Sequence, residues 1–448
     1  MTHSKEDRQC HSINFMQKLT MADYKVIYGA IVNPLSDQDC DFYPKGVMVL
    51  KRSPKRDAYQ VKQIGLRTQV VLPPNFELLD FGNKLILPGL YDLHFHWVQD
   101  EVCLKPKDDL LHWLKHFAWP AEVKFKDLKY CQKKAKTFFG QLAKQGTIGG
   151  GCFSSIHGHA LAEAFNRIKG HFIIGNVLMT MNSPQNLQQT QQNALNLVRK
   201  FASRYKNKYA LTPRFAPSTH PKVMQEGARI VKKYGGFIQS HLSENKEEIK
   251  FVLDYFKKLP GFKNVKSYTE IYQRSKTLGA KTIMAHGIHL DTGELKILQK
   301  TKTSIAVCPT SNAPLDQQGL GSGLCDHPKL EHFNIPWALG SDIGAGPYLS
   351  MFDVMSSWVS QNRKAKRKGV SFKKALYRCT LKSAQILKMQ AKRGNLSIGK
   401  EADFIVLTES VQGRSVEKNL ARLMSKSPNQ RQRYQNLVAQ VYLSGNKI

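Results

Sequence analysis

Several features that define common protein classes are absent from this chain of 448 residues. Its eight cysteines, at positions 10, 40, 103, 131, 152, 308, 325 and 379, form no Cys-x-x-Cys pair, which argues against a structural zinc module or a disulfide framework. The first 20 residues lack the apolar core of a secretory signal. No apolar run approaches the length that spans a bilayer, and no Gly-x-Ser-x-Gly elbow supports serine hydrolysis. We therefore expect a cytoplasmic protein with no membrane segment.

Acidic residues are also scarce: 34 stand against 67 lysines and arginines, which gives a formal net charge of +33. Such a charge favours anionic partners, including nucleic acid. The basic residues are spread along the chain, and one dense cluster stands out, formed by Arg363, Lys364, Lys366, Arg367 and Lys368. Dispersed lysines are typical of a solvated surface, so we do not expect a nucleic-acid partner. Polyanion binding stays open as an alternative function.

The middle of the chain alternates short apolar runs with amphipathic stretches. The eight candidate strands lie at residues 90–96, 146–153, 171–179, 209–215, 237–241, 282–286, 304–307 and 336–340. Patterns such as 223–234 and 246–258, with apolar residues three and four apart, predict helices between them. Eight strand–helix units favour an α/β fold, a (β/α)8 TIM-like barrel at residues 88–390, over an open doubly wound sheet.

Strand-like runs recur at both ends of the chain. They lie at residues 24–34, 46–50, 69–72, 402–407 and 439–447. We therefore expect a small β-sandwich domain built from both termini, residues 23–87 plus 391–448, with the barrel inserted between its halves. Residues 1–22 are polar and aperiodic, which predicts a disordered N-terminal extension.

The residues that carry chemistry stand at the ends of predicted barrel strands. His94 and His96 are one residue apart, so both project from the same face of the first strand. His241, His286 and Asp342 each end a later apolar run. A barrel collects functional residues at these ends, and this set suits one Zn2+ or Fe2+ with a position left open for water. No lysine suited to bridging two metals stands at the fourth strand, so we expect one ion.

Longer stretches around these residues carry a resemblance. They read Leu-Pro-Gly-Leu-Tyr-Asp-Leu-His-Phe-His-Trp-Val-Gln (87–99), Trp-Pro-Ala-Glu (119–122), Leu-Thr-Pro-Arg-Phe (211–215), Gln-Ser-His-Leu-Ser-Glu-Asn (239–245), Met-Ala-His-Gly (284–287), Cys-Pro-Thr-Ser-Asn (308–312) and Gly-Ser-Asp-Ile-Gly-Ala-Gly (340–346). Through most of residues 85–405 the chain resembles the amidohydrolase superfamily and, within it, the guanine deaminases. The implied reaction is zinc-dependent hydrolysis of guanine to xanthine and ammonia, by a homodimer.

The resemblance implies roles around the metal. One Zn2+ per subunit would be held by His94, His96, His241 and Asp342. Zinc lowers the pKa of bound water from 15.7 to about 7, which makes hydroxide available at neutral pH. Glu244 would carry a proton from the water to the departing amine. Asp342 would orient the hydroxide, and His286 would bind or polarise the attacked group.

The resemblance also implies contacts to the purine. Arg214 offers donors to a carbonyl oxygen such as guanine O6, and Phe215 offers an aromatic face for stacking. Gln99 can donate and accept at once, which suits a purine edge. Trp113 and Trp119 either form a lid over the site or pack in the core.

The chain departs from the resemblance at glycines 149–151, where threonines are common, and at Ser341, where threonine is usual. His157 and His159 follow the glycines, and we expect both to be structural. The glycines are expected to widen the pocket, so another purine, a pterin or a triazine stays open as the substrate. A non-catalytic scaffold is the remaining alternative.

Overall fold

The computed structural model describes residues 22–54, 56–107, 109–425 and 434–448. The predicted N-terminal extension, apart from Ala22, lies outside these residues. None of the helices in the described ranges has the length and apolar character needed to cross a membrane.

Fifteen strands are present in these ranges: β1 (Tyr24–Pro34), β2 (Cys40–Arg52), β3 (Tyr59–Leu66), β4 (Glu77–Pro88), β5 (Leu90–His96), β6 (Thr147–Ser154), β7 (His171–Leu178), β8 (Ala210–Pro213), β9 (Phe237–Leu242), β10 (Thr282–His286), β11 (Ser304–Val307), β12 (Trp337–Leu339), β13 (Phe404–Ser410), β14 (Val438–Leu443) and β15 (Asn446–Lys447).

The same ranges contain the helices α1 (Leu110–Trp113), α2 (Trp119–Val123), α3 (Leu128–Lys144), α4 (Gly158–Arg167), α5 (Gln191–Tyr205), α6 (Pro221–Lys233), α7 (Lys246–Phe256), α8 (Tyr268–Arg274), α9 (Thr292–Thr301), α10 (His327–His332), α11 (Met351–Lys364), α12 (Phe372–Arg378), α13 (Leu381–Ile386) and α14 (Val416–Met424). A π-helical turn, Leu114–Ala118, joins α1 to α2.

Strands β5 to β12 form an eight-stranded parallel sheet in chain order. The sheet closes on itself because Asp342 N donates to His94 O (2.7 Å) and His96 N donates to Ile343 O (3.1 Å). Most of these strands are buried along their whole length, as expected for a parallel sheet covered by helices. All eight predicted barrel strands are confirmed, with ends shifted by at most two residues.

The remaining seven strands form one mixed sheet in the order β15-β14-β13-β4-β1-β2-β3. Strands from both termini are therefore neighbours in the small β unit, as predicted, and hydrogen bonds join its described strands in a single sheet. The predicted strand at 69–72 is wrong. Val71 is 78% exposed, and Pro73 and Pro74, which lack backbone N–H donors, follow at once. The chain forms β3 and β4 instead.

The small sheet is tied to the barrel by covalent and polar contacts. Strand β4 leads directly into β5, with Gly89 N donating to Asp403 O (3.1 Å). Asp403 also lies 3.0 Å from His171 Nε2 at the start of β7 and accepts from Arg393 (2.8 Å). These contacts hold the N-terminal end of the barrel, opposite the predicted site.

The basic cluster lies at the end of α11 and just after it. Arg363 pairs with Glu417 (3.1 Å), and Arg367 donates to Asn362 Oδ1 (3.1 Å) and to the carbonyl of Cys325. Two of the five basic side chains in this cluster therefore bind other residues of the same chain.

Candidate active site

The four predicted metal ligands converge at the carboxyl end of the barrel strands. His94 and His96 end β5, His241 lies near the end of β9, and Asp342 follows β12. Their ligand atoms lie within 4.8 Å of one another. Asp342 Oδ1 is 3.2 Å from His94 Nε2 and 3.6 Å from His96 Nε2, and His96 Nε2 is 3.1 Å from His241 Nε2. The structure thus brings together the set that the sequence predicts.

The chemistry of these atoms fits a cation at their centre. His241 Nδ1 donates to the backbone oxygen of Arg214, so its Nε2 presents a lone pair towards His96. His94 Nε2 is buried and has no hydrogen-bond partner among the described residues. Burial lowers the pKa of His94, His96 and His241, which favours the neutral form that binds metals. Lone pairs that face one another around a carboxylate suit a metal ion.

His286 ends β10 and faces the same centre. Its Nε2 lies 3.5 Å from Glu244 Oε2 and 4.0 Å from Asp342 Oδ2, and it too is buried without a hydrogen-bond partner in the described chain. His286 and Asp342 adopt left-handed backbone conformations, with φ of 72° and 50°. Residues other than glycine rarely do so, and such strain is concentrated at functional sites.

Glu244 lies in the short connection between β9 and α7. Asn245 caps α7 by accepting from Glu248 N (2.7 Å), which places Glu244 just before the helix at the mouth of the barrel. Glu244 Oε1 accepts from Asn312 Nδ2 (3.0 Å) and from Ser322 Oγ (3.3 Å). Burial, and then the charge of Asp342, raise the pKa of Glu244 well above its usual value. Such a carboxyl group holds a proton more tightly than an exposed one, which suits a group that must donate it to a leaving amine.

Asp92 holds the segment that carries Asp342. It is fully buried in β5, and its carboxylate accepts from Ser341 N (2.8 Å), Ser341 Oγ (2.5 Å) and His94 N (3.2 Å). Burial raises the pKa of Asp92 to about 6, although the bonds from Ser341 favour the carboxylate. Asp92 therefore joins the segment that carries Asp342 to the strand that carries His94, and Ser341 supplies the hydroxyl expected of threonine.

A cavity opens onto this cluster at the carboxyl end of the barrel strands, the end at which barrels of this kind hold their active sites. Its lining comprises His96, Gln99, Leu110, Leu111, Trp113, Leu114, Arg214, Phe215, His241, Glu244, Glu248, His286, Asp342 and Ala345. One apolar side comes from α1 and the start of the π-helical turn, and π-helical turns are frequent at functional sites.

The three predicted purine contacts lie together in this cavity. Gln99, Arg214 and Phe215 are all buried and all line it. Arg214 NH1 donates to both carboxylate oxygens of Glu122 (2.6 and 2.7 Å), and Gln99 Nε2 donates to Glu122 Oε1 (2.6 Å). Arg214 is therefore part of a buried polar network at the pocket and does not lie on the surface.

Of the two tryptophans and two histidines near the predicted site, only Trp113 lines the cavity. Trp113 lines the cavity, whereas Trp119 packs against the apolar cluster around Phe153. His157 and His159 stack with ring centroids 5.5 Å apart, outside the cavity lining, and His159 Nε2 bonds to Phe125 O (2.8 Å).

The prediction that glycines 149–151 widen the pocket is wrong. A Cβ at Gly149 would lie 2.3 Å from the ring of Tyr91, and one at Gly150 would lie 1.7 Å from Asp92 O. Gly150 also has φ of 149°. The glycines allow β6 to approach β5 closely, and none of them lines the cavity.

Comparisons with known proteins agree with this site. The amidohydrolase family model matches residues 85–429. The chain belongs to the amidohydrolase family. It is 32% identical over 344 residues to a guanine deaminase of Escherichia coli K12, covering 75% of this chain and 76% of that protein. It is 31% identical over 350 residues to a guanine deaminase of Dictyostelium discoideum, covering 75% of each.

A solved structure extends the comparison to the small sheet. A guanine deaminase from C. acetobutylicum, with guanine bound in its active site, aligns with a TM-score of 0.82 at 27% identity. The alignment covers 95% of this chain and 100% of the C. acetobutylicum chain. Amidohydrolases are metal-dependent hydrolases, and the cluster of His94, His96, His241 and Asp342 has the donor atoms and spacing to hold a metal ion.

Sequence reasoning missed several residues that the site uses. Glu122 and Asn312 lie inside the quoted stretches 119–122 and 308–312 but were given no role there. Asp92 lies two residues before His94, on the same face of the strand, and this alternation was the signal that could have identified it. Ser322 lies in a glycine-rich segment that carries no such signal.

Proposed function

We propose that this protein hydrolyses guanine to xanthine and ammonia. The observation that carries the proposal is the juxtaposition, in one cavity, of a His/Asp cluster with Arg214, Gln99 and Phe215. The guanine deaminase relatives support the choice of base. In the reaction a C–O bond forms at C2 of the ring, the bond from C2 to the amino nitrogen breaks, and ammonia leaves.

The proposed holoenzyme binds one Zn2+ per subunit through His94, His96, His241 and Asp342, with Fe2+ as the alternative. When bound, the ion would acidify water at neutral pH and place positive charge beside the reacting carbon. His241 is oriented for this role because its Nδ1 is held by the carbonyl of Arg214.

The chain's own residues move protons and orient the reactants. Glu244 Oε2 faces the centre while Oε1 is held by Asn312 and Ser322, so this carboxylate is positioned to take a proton from the attacking water and deliver it to the departing amine. Asp342 Oδ2 would orient the water. His286 Nε2, which lacks a hydrogen-bond partner among the described residues, would contact the attacked group.

The base would be held by Gln99, Arg214 and Phe215, which line the cavity together. Phe215 would stack on the purine face, and the Arg214 guanidinium would donate to O6. Leu110, Leu111 and Trp113 would exclude water above it. We further propose a cytoplasmic homodimer, divided into a β unit of residues 23–87 plus 391–448 and a barrel of residues 88–390. None of the described cysteines forms a disulfide, which suits a reducing compartment.

The test is ammonia release by the purified protein from guanine, beside adenine, 8-oxoguanine, a pterin and a triazine, with metal content measured on the same sample. We expect guanine turnover that chelation abolishes and zinc restores. Turnover of another heterocycle in preference to guanine would overturn the substrate but keep the chemistry. A protein inactive on all five while holding one zinc would overturn the proposed function.

A further inference from the structure

Glu122 contacts both polar residues that the proposed function places on the base. It lies in α2, is 1% exposed and is not part of the cavity lining. Its Oε1 accepts from Gln99 Nε2 and from Arg214 NH1, each at 2.6 Å, and its Oε2 accepts from Arg214 NH1 at 2.7 Å. One carboxylate outside the cavity therefore holds two side chains that line it, one after β5 and the other after β8.

This contact determines which atoms the two side chains can offer to a ligand. A carboxylate only accepts hydrogen bonds, so it selects the NH2 end of the Gln99 amide and turns the Oε1 end away. Gly344 leaves room for that oxygen, since a Cβ at position 344 would lie 2.4 Å from Gln99 Oε1. Arg214 keeps further guanidinium N–H groups for a ligand, because both hydrogen bonds from its side chain to Glu122 come from Nη1. Arg214 thus offers N–H donors to a ligand, and Gln99 offers its Oε1 as an acceptor beside them.

We propose that Glu122 is a positioning residue that sets the preference for a base with a carbonyl oxygen next to a ring N–H. Guanine carries that pattern at O6 and N1–H. The corresponding edge of adenine carries an amino donor next to a ring acceptor, so both contacts would be mismatched. This inference rests on the proposed function and deepens it, because Glu122 acts through Gln99 and Arg214 and does not touch the base.

The position of Glu122 also links recognition to the cavity wall. The residue follows the π-helical turn Leu114–Ala118 on the helical segment whose first half supplies Leu110, Leu111 and Trp113 to the cavity. Displacement of this segment would therefore move the apolar wall and the Glu122 carboxylate together.

The test is a double-mutant cycle with Glu122→Gln and Arg214→Gln, in the metal-loaded full-length chain. Steady-state kinetics are measured on guanine and on 2,6-diaminopurine, which keeps the amino group at C2 but carries an amino group in place of O6. Metal content and melting temperature are measured on the same samples. We expect Glu122→Gln to lower kcat/KM for guanine about 10- to 100-fold, mainly through KM, because the recognition groups lose their alignment. Metal content should be unchanged. In the Arg214→Gln background the same change should lower kcat/KM less than about 3-fold, since coupled residues are not additive.

The matched control is Glu101→Gln. Glu101 accepts from Tyr130 OH (2.7 Å) and from Lys124, the residue that follows α2, but it lies outside the cavity lining. This variant should keep wild-type kinetics. Two results would show a purely structural ion pair. One is a double variant whose loss in kcat/KM equals the product of the two single losses; the other is a Glu122→Gln protein with a lower melting temperature and unchanged kcat/KM. If the wild type does not turn over guanine, the proposed function fails, and the inference fails with it.

Discussion

Replacement of Glu244 by glutamine tests the proposed chemistry most directly. Glutamine matches glutamate in size, and its side-chain oxygen can accept from Asn312 Nδ2 and Ser322 Oγ as Glu244 Oε1 does at 3.0 and 3.3 Å. Its NH2 group would then face His286 Nε2, which lies 3.5 Å from Glu244 Oε2. The substitution should therefore preserve the fold and the metal cluster while removing the carboxylate that is proposed to carry the proton.

The expected loss follows from the role of the carboxylate. A positioned general acid–base group contributes roughly 100- to 10,000-fold in rate, which corresponds to about 2.7 to 5.4 kcal/mol in the activation free energy. The assay is kcat for ammonia release from guanine, with metal content and melting temperature measured in parallel. We expect kcat to fall within that range while the metal content stays at the wild-type level.

Two neighbouring glutamates provide the controls. Glu247 is exposed in the first turn of α7, so Glu247→Gln should leave kcat unchanged. Glu248 is buried at the cavity, and burial together with the charge of Glu244 raises its pKa to about 7. Its Oε2 accepts from Glu244 N (2.8 Å), so Glu248→Gln should cause a smaller loss than Glu244→Gln. A loss of only a few-fold in Glu244→Gln, or a greater loss in Glu248→Gln, would refute the proton-transfer role of Glu244.

Two further predictions concern recognition and folding. Arg214→Ala should lower kcat/KM for guanine at least about 100-fold, as expected when a bound base loses its alignment, with metal content unchanged by elemental analysis; parallel loss of metal would contradict a role in recognition. Gly150→Ala should lower the free energy of unfolding in denaturant by about 3 kcal/mol, because its Cβ would meet Asp92 O at 1.7 Å. Gly140→Ala in α3, with no atom within 4 Å of the added Cβ, should instead raise it by about 0.5–1 kcal/mol.

The barrel was predictable from sequence because each of its strands is a short apolar run. The fully buried strands of a parallel sheet require such runs, and the chemistry-bearing residues stand at their ends. The alternation at His94 and His96 was enough to predict a common direction for both side chains. The run at 69–72 is also apolar, but Pro73 and Pro74 cannot donate backbone hydrogen bonds to a neighbouring strand, and Val71 stays exposed. Local pattern alone does not distinguish these cases.

Other parts of the site depend on contacts that a local pattern cannot contain. Glu122 meets Arg214 across 92 positions in the chain, and the π-helical turn that precedes it has no distinctive composition. The glycines at 149–151 were misread because their chemistry suggests empty space, while their real neighbours are the backbone and ring atoms of β5. The three glycines do not face the cavity, a fact that becomes visible only when the register between β5 and β6 is known.

Arg214 joins the two halves of the site through different atoms. Its backbone oxygen accepts from His241 Nδ1 and so fixes the imidazole that faces the metal cluster, while its side chain is held by Glu122 at the cavity. In the proposed complex, one residue directly after β8 would therefore set the distance between the metal cluster and the base. Because a side-chain substitution leaves the carbonyl in place, recognition and metal binding should be separable by mutation at this position. The same reasoning predicts that a change in backbone direction after Pro213 would disturb both together.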